Sequence, residues 1–271
     1  MQDTSISLPL GHGSPVISRN ASLPAAPARL EALWARDLDD VRAAQRLRHR
    51  VFAGEMGARL PTLPGMPDGH DIDLYDRFCE HLIVRTVASA DEPSQVVGTY
   101  RLLTPAAARL VGGLYSEQEF DLVRLARLRP KMAELGRSCV DPAFRTGGVI
   151  LLLWSSLTEF MYRNGLEYMV GCASVPMRDG GHVAASLWHR LSRTHLAPIE
   201  HRVMPRLPLP VEELRQDLEV EPPALIKGYL KCGARVLGAP AWDPDFGTAD
   251  LPMMLSLKDL PEAYRRRFIG R

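Results

Sequence analysis

Met132 to Leu153 reads MAELGRSCVDPAFRTGGVILLL, and its reading decides the fold. The first half has the make-up of a strand carrying Glu134, Arg137 and Cys139. The chain turns at Asp141-Pro142, passes Arg145-Thr146-Gly147-Gly148, and enters an apolar run that predicts a helix to about Arg163, ended by Asn164-Gly165. A strand, a short Gly-containing loop and a helix start bring backbone N–H groups together on an anion, with the helix dipole and Arg145 in support. A plain turn before a helix is the simpler reading of the same letters. Strand alternation places Glu134, Gly136 and Ser138 on one face and Leu135 and Arg137 on the other.

Working outward, Arg29 to Arg36 predicts a first strand. Asp39-Asp40 open an amphipathic helix with Val41, Ala44, Leu47, Val51 and Phe52 inside. Arg42, Arg46, Arg48 and Arg50 fall on its other face, either solvated or set to meet an acidic partner. Residues 54–77 form a long loop rich in Pro and Gly, with Asp68, Asp71, Asp73 and Asp76. Those acids are read as ordinary loop solvation or as attraction for a cationic substrate. His81–Val87 and Val96–Leu103 predict a hairpin across Ser89–Ser94. Pro105–Leu110 predicts a short helix, and Tyr115–Leu125 is ambiguous. After the central unit come a strand at Tyr168–Ser174, a helix at Ala184–Arg193, a helix from Pro222-Pro223 to Lys231, and a strand at Pro252–Leu257. A basic terminal helix carries Arg265, Arg266 and Arg267. The pattern predicts an α+β fold, one mixed sheet with helices on its faces. Residues 1–27, rich in Ser, Pro and Gly, are expected to be a flexible tail before a single domain over 28–271.

Composition narrows the function classes. The formal net charge is +1 over 271 residues, which argues against a whole-chain nucleic-acid binder. Only Lys131, Lys227, Lys231 and Lys258 are lysines, so nearly all cations are Arg, suited to carboxylate and phosphate. Cys79, Cys139, Cys172 and Cys232 are scattered, as expected of buried thiols in a reducing compartment, and no His spacing suggests a metal site. No signal peptide or spanning run is visible, so a cytoplasmic protein is expected.

Glu134 on a central strand is costly unless paired or functional. Arg101 is the obvious ion-pair partner; a general base, direct or through water, is the catalytic alternative. Cys139 reads as a structural thiol rather than a nucleophile, because no His is implicated as its base.

Several blocks occur in order: LRHRVFAGEMG (47–57), DIDLYDRFCEHLIV (71–84), VVGTYRLL (96–103), ELGRSCVDPAFR (134–145), LLWSSLTEF (152–160) and GCASVP (171–176). ALIKGYLKCGA (224–234) and DPDFGTADL (243–251) follow. Together they resemble the ornithine N-acyltransferases of bacterial ornithine-lipid synthesis, a branch of the GNAT superfamily related to acyl-homoserine-lactone synthases. The resemblance implies a bent mixed sheet whose central strand splays to admit a pantetheine arm, with the phosphate on Arg145, Thr146, Gly147, Gly148 and Val149. The GNAT loop pattern is Q/R-x-x-G-x-G/A, and here Ile150 stands in the last place. The implied reaction moves a 3-hydroxyacyl group from acyl carrier protein to the α-amine of L-ornithine, without an acyl-enzyme and with no permanently bound cofactor. Glu134 is the implied base, and the backbone N–H of Cys139 or Val140 the implied oxyanion donor. Asp73 and Asp76 match the D-x-Y/F-D element, Arg101 the R-(L/V)-L element, and Glu134 with Arg137 the E-x-x-R element. These residues are expected to shape the amine pocket, with Arg137 on the substrate carboxylate and Asp73 or Asp76 on the side-chain ammonium. His189 is a candidate to protonate the leaving thiol. Arg42, Arg46, Arg50 and residues 265–267 are candidate docking sites for the acidic carrier protein, and the C-terminus for peripheral membrane contact. Transfer to another amine, or a non-catalytic binding module, are the alternatives.

Overall fold

A computed structural model describes residues 29–269 apart from 62, 63, 91 and 146, so the expected tail over 1–27 lies outside the described residues. Strand β1 (Leu30–Trp34) leads to helix α1 (Leu38–His49), which widens into a π turn over Arg50–Glu55. Asp37 caps α1 by accepting from Asp40 N at 2.9 Å, and Asp39 and Asp40 face the positive end of its dipole. The predicted hairpin is present as β2 (Glu80–Thr86) and β3 (Val96–Leu103), followed by α2 (Pro105–Val111). The ambiguous stretch resolves into 3-10 turns around a two-residue strand, β4 (Phe120–Asp121).

The central unit is β5 (Met132–Val140), α3 (Gly148–Arg163) and β6 (Tyr168–Pro176). Then come α4 (His182–Thr194), β7 (Met204–Pro205, paired with β4), α5 (Ala224–Lys231), β8 (Arg235–Val236), β9 (Ala241–Asp243), β10 (Thr248–Ser256) and α6 (Glu262–Ile269). The last long strand starts four residues before the predicted Pro252. Proline is tolerated there because Pro252 O accepts from Leu237 N, so the N–H it lacks would point to that same edge, where β10 changes partner from β9 to β8.

The main sheet runs β1-β2-β3-β5-β6-β10-β8, with β9 also on β10. Every pair is antiparallel except β5 with β6, the two strands joined by α3. Val149, Leu153, Leu157 and Met161 recur at i, i+4 on α3 and bury against Leu82, Val84, Val97 and Leu102. Each such side chain contributes about 1.5–3 kcal/mol of burial. Helix α1 covers the opposite face through Leu47, Val51 and Phe52, which meet Cys139 of β5.

Two irregularities shape the centre. The parallel ladder of β5 and β6 covers only Met132–Glu134 against Tyr168–Val170, after which the strands part. Each keeps its outer neighbour: β5 stays on β3 to Val140 and β6 stays on β10 to Pro176. The sheet therefore opens as a wedge toward the C-terminal ends of β5 and β6. Opposite the wedge, Thr99 faces Cys139 and Arg101 faces Gly136, so Tyr100 stands against both Arg137 and Ser138. This β-bulge puts Arg137 at φ +50°, the left-handed region unusual for a residue with a Cβ. The expected alternation of faces along β5 therefore breaks at Arg137.

Gly171 sits at the apex of the wedge. A Cβ there would lie 2.3 Å from the carbonyl oxygen of Leu135, so only glycine allows the strands to close just before they part. Gly171→Ala is expected to destabilise the fold by about 1–3 kcal/mol, since the obstacle is backbone and cannot turn away. A thermal melt followed by circular dichroism checks this, and an unchanged midpoint contradicts it.

Candidate active site

The wedge encloses a cavity of about 260 Å³. Its walls at the sheet are Leu135, Gly136, Arg137 and Ser138 on β5 and Gly171, Cys172 and Ser174 on β6. Toward α2 and the turn after it the lining is polar: Tyr75, Arg101, Tyr115, Ser116, Glu134, Asp243 and Asp250. Toward α3, α5 and α6 it is apolar: Trp154, Leu157, Tyr229, Met253, Leu255 and Phe268. Trp154 and Tyr229 stack there with centroids 5.6 Å apart, and the hydroxyls of Tyr100 and Tyr229 touch inside this apolar half. Burial pushes the Tyr100 phenol up to about 12, so it stays protonated.

Glu134 is 5% exposed, and its carboxylate is held by donors from one turn. Tyr115 N donates to Oε2 at 2.6 Å; Ser116 N and Ser116 Oγ donate to Oε1 at 2.7 and 2.5 Å. The expected pair with Arg101 is not formed among the described residues, because Glu134 lies opposite Leu103 while Arg101 lies opposite Gly136. Burial raises the pKa of Glu134, and the three donors only partly offset that. Cys172 Sγ donates to Ser116 Oγ at 3.4 Å, which extends the chain of donors into the cavity.

Arg48, expected on the outer face of α1, is instead fully buried. Its Nε reaches Asp71 at 2.8 Å and its Nη2 reaches both oxygens of Asp76 at 2.8 and 2.9 Å. Arg101 meets Asp73 at 2.6 Å, and Arg137 lies 3.3 Å from both Asp71 and Asp73. Three guanidinium groups thus face three carboxylates. This corrects both readings of the 68–76 acids, since Asp71, Asp73 and Asp76 are interior counter-ions, unavailable to a substrate ammonium. Burial pushes Asp73 upward, but Arg101 and Arg137 outweigh it and hold its carboxyl below the usual range. His81 Nε2 donates to Asp76 O at 2.8 Å, and burial lowers its pKa, keeping it neutral. Arg137 is flanked by the rings of Tyr115 and Phe246 at 4.9 and 4.8 Å and faces the cavity.

At the mouth, Gly147 caps α3 at φ +95°, and the first helical bond runs from Leu151 N to Gly147 O, so the N–H groups of Gly148, Val149 and Ile150 precede the ladder. Arg145 pairs bidentately with Glu55 at 2.6 and 2.7 Å and also donates to Val140 O. An anion there competes with Glu55 for this guanidinium. Thr146 lies outside the described residues. Cys139 and Val140 sit in register with Thr99 and Gly98 beyond the bulge, and the cavity wall ends at Ser138. Burial pushes the Cys139 thiol up to about 12, which fits a structural role. His189 is engaged with Gln216 at 3.0 Å and does not line the cavity.

Residues without a role in the sequence reading complete the polar half: Tyr115, Ser116, Asp243 and Asp250 line it, and Glu119 stands behind Asp250 and Cys172. The available signal was Asp250 inside the apolar run TADLPMML, an acid on a strand.

Residues 47–155 match the acetyltransferase (GNAT) domain family. An L-ornithine N(alpha)-acyltransferase of Brucella abortus is 34% identical over 247 residues, 87% of this chain and 87% of the relative. The Agrobacterium fabrum protein of the same name is 36% identical over 87% of this chain and 83% of its own. The chain belongs to the L-ornithine N(alpha)-acyltransferase family. As a family member it is an acyltransferase of the GNAT fold. Among solved structures, FeeM, an N-acyl amino acid synthase from uncultured soil microbes, superposes with a TM-score of 0.53 at 12% identity, covering 90% of this chain and 97% of its own. The AHL synthase LasI gives 0.50 at 13% identity, over 90% and 96%. These likenesses show the fold.

Removing Arg48 leaves Asp71 and Asp76 buried without their main counter-charge. Arg48→Met is expected to cost about 3–5 kcal/mol, read by denaturant unfolding, and a loss below about 1 kcal/mol contradicts the reading. His81 gives a pH signature. Its folded pKa is depressed, so its contribution is full above the unfolded value of about 6.5 and is lost as pH falls from there toward the folded value. Melting temperature is expected to fall between pH 7 and 5, with a shallower slope in His81→Gln.

Proposed function

We propose that this protein transfers a 3-hydroxyacyl group from the phosphopantetheine arm of acyl carrier protein to the α-amine of L-ornithine, giving lyso-ornithine lipid. The observation that supports this is the two-sided cavity at the wedge, apolar toward α3 and polar toward Ser116 and Arg137, in a chain whose relatives are named L-ornithine N(alpha)-acyltransferases. The arm lies along the open edge of β5, as an added strand would, with its phosphate on the N–H groups that start α3. The acyl tail occupies the apolar half, against Trp154, Leu157 and Leu255. The thioester carbonyl meets the bulge, so the oxyanion donor is drawn from Gly136–Ser138, ahead of the expected Cys139 and Val140.

Ornithine enters on the polar side, its carboxylate on Arg137, whose contacts to Asp71 and Asp73 are long enough to be exchanged. The α-amine faces Ser116. As nitrogen attacks the carbonyl carbon, it gives a proton to Ser116 Oγ, which passes its own proton to Glu134 Oε1. Glu134 therefore keeps the role of base, reached through a hydroxyl, and its raised pKa makes it the stronger acceptor. The tetrahedral intermediate collapses by breaking the carbon–sulfur bond, and the thiolate takes the proton held by Glu134, returned through Ser116 Oγ, which leaves Glu134 ionised again. An acyl-enzyme has no support: burial pushes the thiols of Cys79 and Cys139 up to about 12.

Arg42 and Arg46 are exposed on α1 and Arg50 at the start of the π turn, where Arg50 lies 3.5 Å from Asp141 beside the phosphate loop. Arg267 borders a groove with Gly148 on the other side of that loop. Cations on both flanks of the arm's entrance support docking of an acidic carrier protein. No helix among the described residues is long and apolar enough to cross a membrane, and contact with the amphiphilic product's membrane is proposed to be peripheral, through basic α6.

With 3-hydroxyacyl carrier protein as donor, thiol release is expected only when ornithine is supplied. Equal release with neutral amino acids would overturn the acceptor assignment. Ser116→Ala is expected to lower kcat by about 10²-fold while the melting temperature stays near wild type, because both backbone donors to Glu134 remain; an unchanged kcat removes the relay.

A further inference from the structure

The acids expected to receive the acceptor's side-chain ammonium are committed to Arg48, Arg101 and Arg137. A different set is uncommitted. Both carboxylate oxygens of Glu119 are closed off from solvent and have no hydrogen bond of normal geometry, with only Asp250 and Cys172 close by. Leaving such a group unmet is costly, and native proteins seldom do it without a ligand or a role. The Glu119 carboxylate points at Asp250 and Cys172; one ligand atom from each of the three lies within 4.8 Å of the others. Asp250 is 5% exposed, lines the cavity, and stands opposite Ser174 across the β10–β6 ladder. Asp250 Oδ1 accepts from Thr248 Oγ1 at 2.8 Å. Asp243, also on the cavity wall, spends Oδ1 on the N–H groups of Asp245 and Phe246 at 2.9 and 3.0 Å. Among the described residues no Arg, Lys or His pairs with any of these three acids, although the chain carries many cations.

We infer that Glu119 and Asp250, with Asp243 at the rim, form the receptor for a second ammonium group on the acceptor, and that this receptor selects a diamino acid over a neutral one. The inference rests on the cavity's being the acceptor site, as proposed above. An ammonium supplies three donors and one positive charge, which matches unpartnered oxygens in a site with no cation of its own. The receptor lies on the β6–β10 side of the wedge and Arg137 on the β5 side, so an amino acid bridging them presents its α-amine between, near Ser116. The same set is a conceivable divalent-metal site, and the test separates the two.

The receptor also couples binding to a proton. Asp250 on β10, Asp243 on β9, Cys172 on β6 and Tyr115 on the preceding turn act on Glu119, with Thr248 and Ser174 on Asp250 and Ser116 on Cys172. Burial, then Asp250 and Asp243, push its carboxyl up to about 9. Empty, the acids hold a proton; an arriving ammonium replaces it. Below pH 9 binding therefore releases a proton, and ornithine affinity rises with pH toward that value.

The test compares ornithine with norvaline, the same carbon chain without the terminal amine, on wild type, Glu119→Gln and Asp243→Asn. It uses steady-state kinetics and the melting shift produced by each amino acid. Wild type is expected to prefer ornithine by 100-fold or more in kcat/KM, and Glu119→Gln to lose about 10- to 100-fold of that ratio, chiefly through KM. The substrate-free Glu119→Gln protein is expected to melt above wild type at pH 8, since an amide replaces an unmet acid. If Glu119→Gln does not fold, the rim variant Asp243→Asn carries the comparison, with a smaller loss in the same direction. An unchanged ornithine-to-norvaline ratio overturns the inference while leaving the acyl transfer standing. If no amine is acylated, the functional reading fails, and the inference is judged separately by whether ornithine shifts the melt more than norvaline. Zinc or manganese that raises the melting temperature of wild type but not of Glu119→Gln, without any ornithine effect, assigns the acids to a metal and overturns it.

Discussion

The structure depends on a balanced set of charges taken out of water together. Arg48, Arg101 and Arg137 face Asp71, Asp73 and Asp76 at the junction of α1, β3, β5 and the loop that precedes β2. Burying ions costs several kcal/mol each, and pairing at best offsets that cost, so the cluster is a poor source of net stability. What it supplies is position. Arg48 and Arg137 each reach two carboxylates through two nitrogens, and Arg101 reaches Asp73 through Nη1, which ties the 71–78 segment to the sheet and holds Arg137 beside the cavity. A purely apolar junction of the same volume would pack, but would leave no reason for Arg137 to stay in a left-handed conformation on a strand.

That conformation has consequences along the chain. The bulge at Arg137 and Ser138 breaks the alternation of β5 where its pairing with β6 ends, so backbone groups of Gly136 to Ser138 face open space. Gly171 keeps the apex narrow, and the outer ladders keep both halves of the sheet rigid while the centre is open. A substrate arm can then complete the missing pairing without rearrangement of the fold. The wedge also joins two solvents of different character: an apolar pocket under α3 and a charged one under the turn after α2.

Much of this was legible in the sequence. The central strand–loop–helix, the hairpin and the caps of α1 and α3 follow from local rules, which the tertiary fold here does not contradict. The failures have a common cause. Arg48 looks solvent-facing because helix periodicity describes one helix alone, and its acidic partners come from a loop 23 to 28 residues later. Glu134 stands out as an acid on a central strand, yet its partners are two backbone N–H groups and the Ser116 hydroxyl, which no local pattern of letters announces. Nothing within DPDFGTADL gives Asp243 and Asp250 a role, because their meaning depends on Glu119, more than a hundred residues earlier. Long-range pairing of charge is what single-sequence periodicity does not carry.

The two acidic clusters show how the same residue type divides its work by neighbourhood. Where three Asp meet three Arg, the opposing charges hold a carboxyl such as Asp73 below its ordinary range, and the set behaves as structure. Where Glu119, Asp250 and Asp243 meet no cation, burial and mutual repulsion drive Glu119 up to about 9, and the set is stable only by retaining a proton. Folding tolerates this because the proton is available at neutral pH, so the empty site costs less than two bare carboxylates would. Glu119 nevertheless has both carboxylate oxygens buried without a hydrogen bond of normal geometry just behind the cavity wall, and a cation bound at Asp250 would improve it. An acceptor that brings its own positive charge therefore meets a site whose unmet demand is part of the folded state, so selectivity for that charge follows from the protein's own electrostatics. A neutral amino acid would leave the acids as they were and gain only its contacts with the wall.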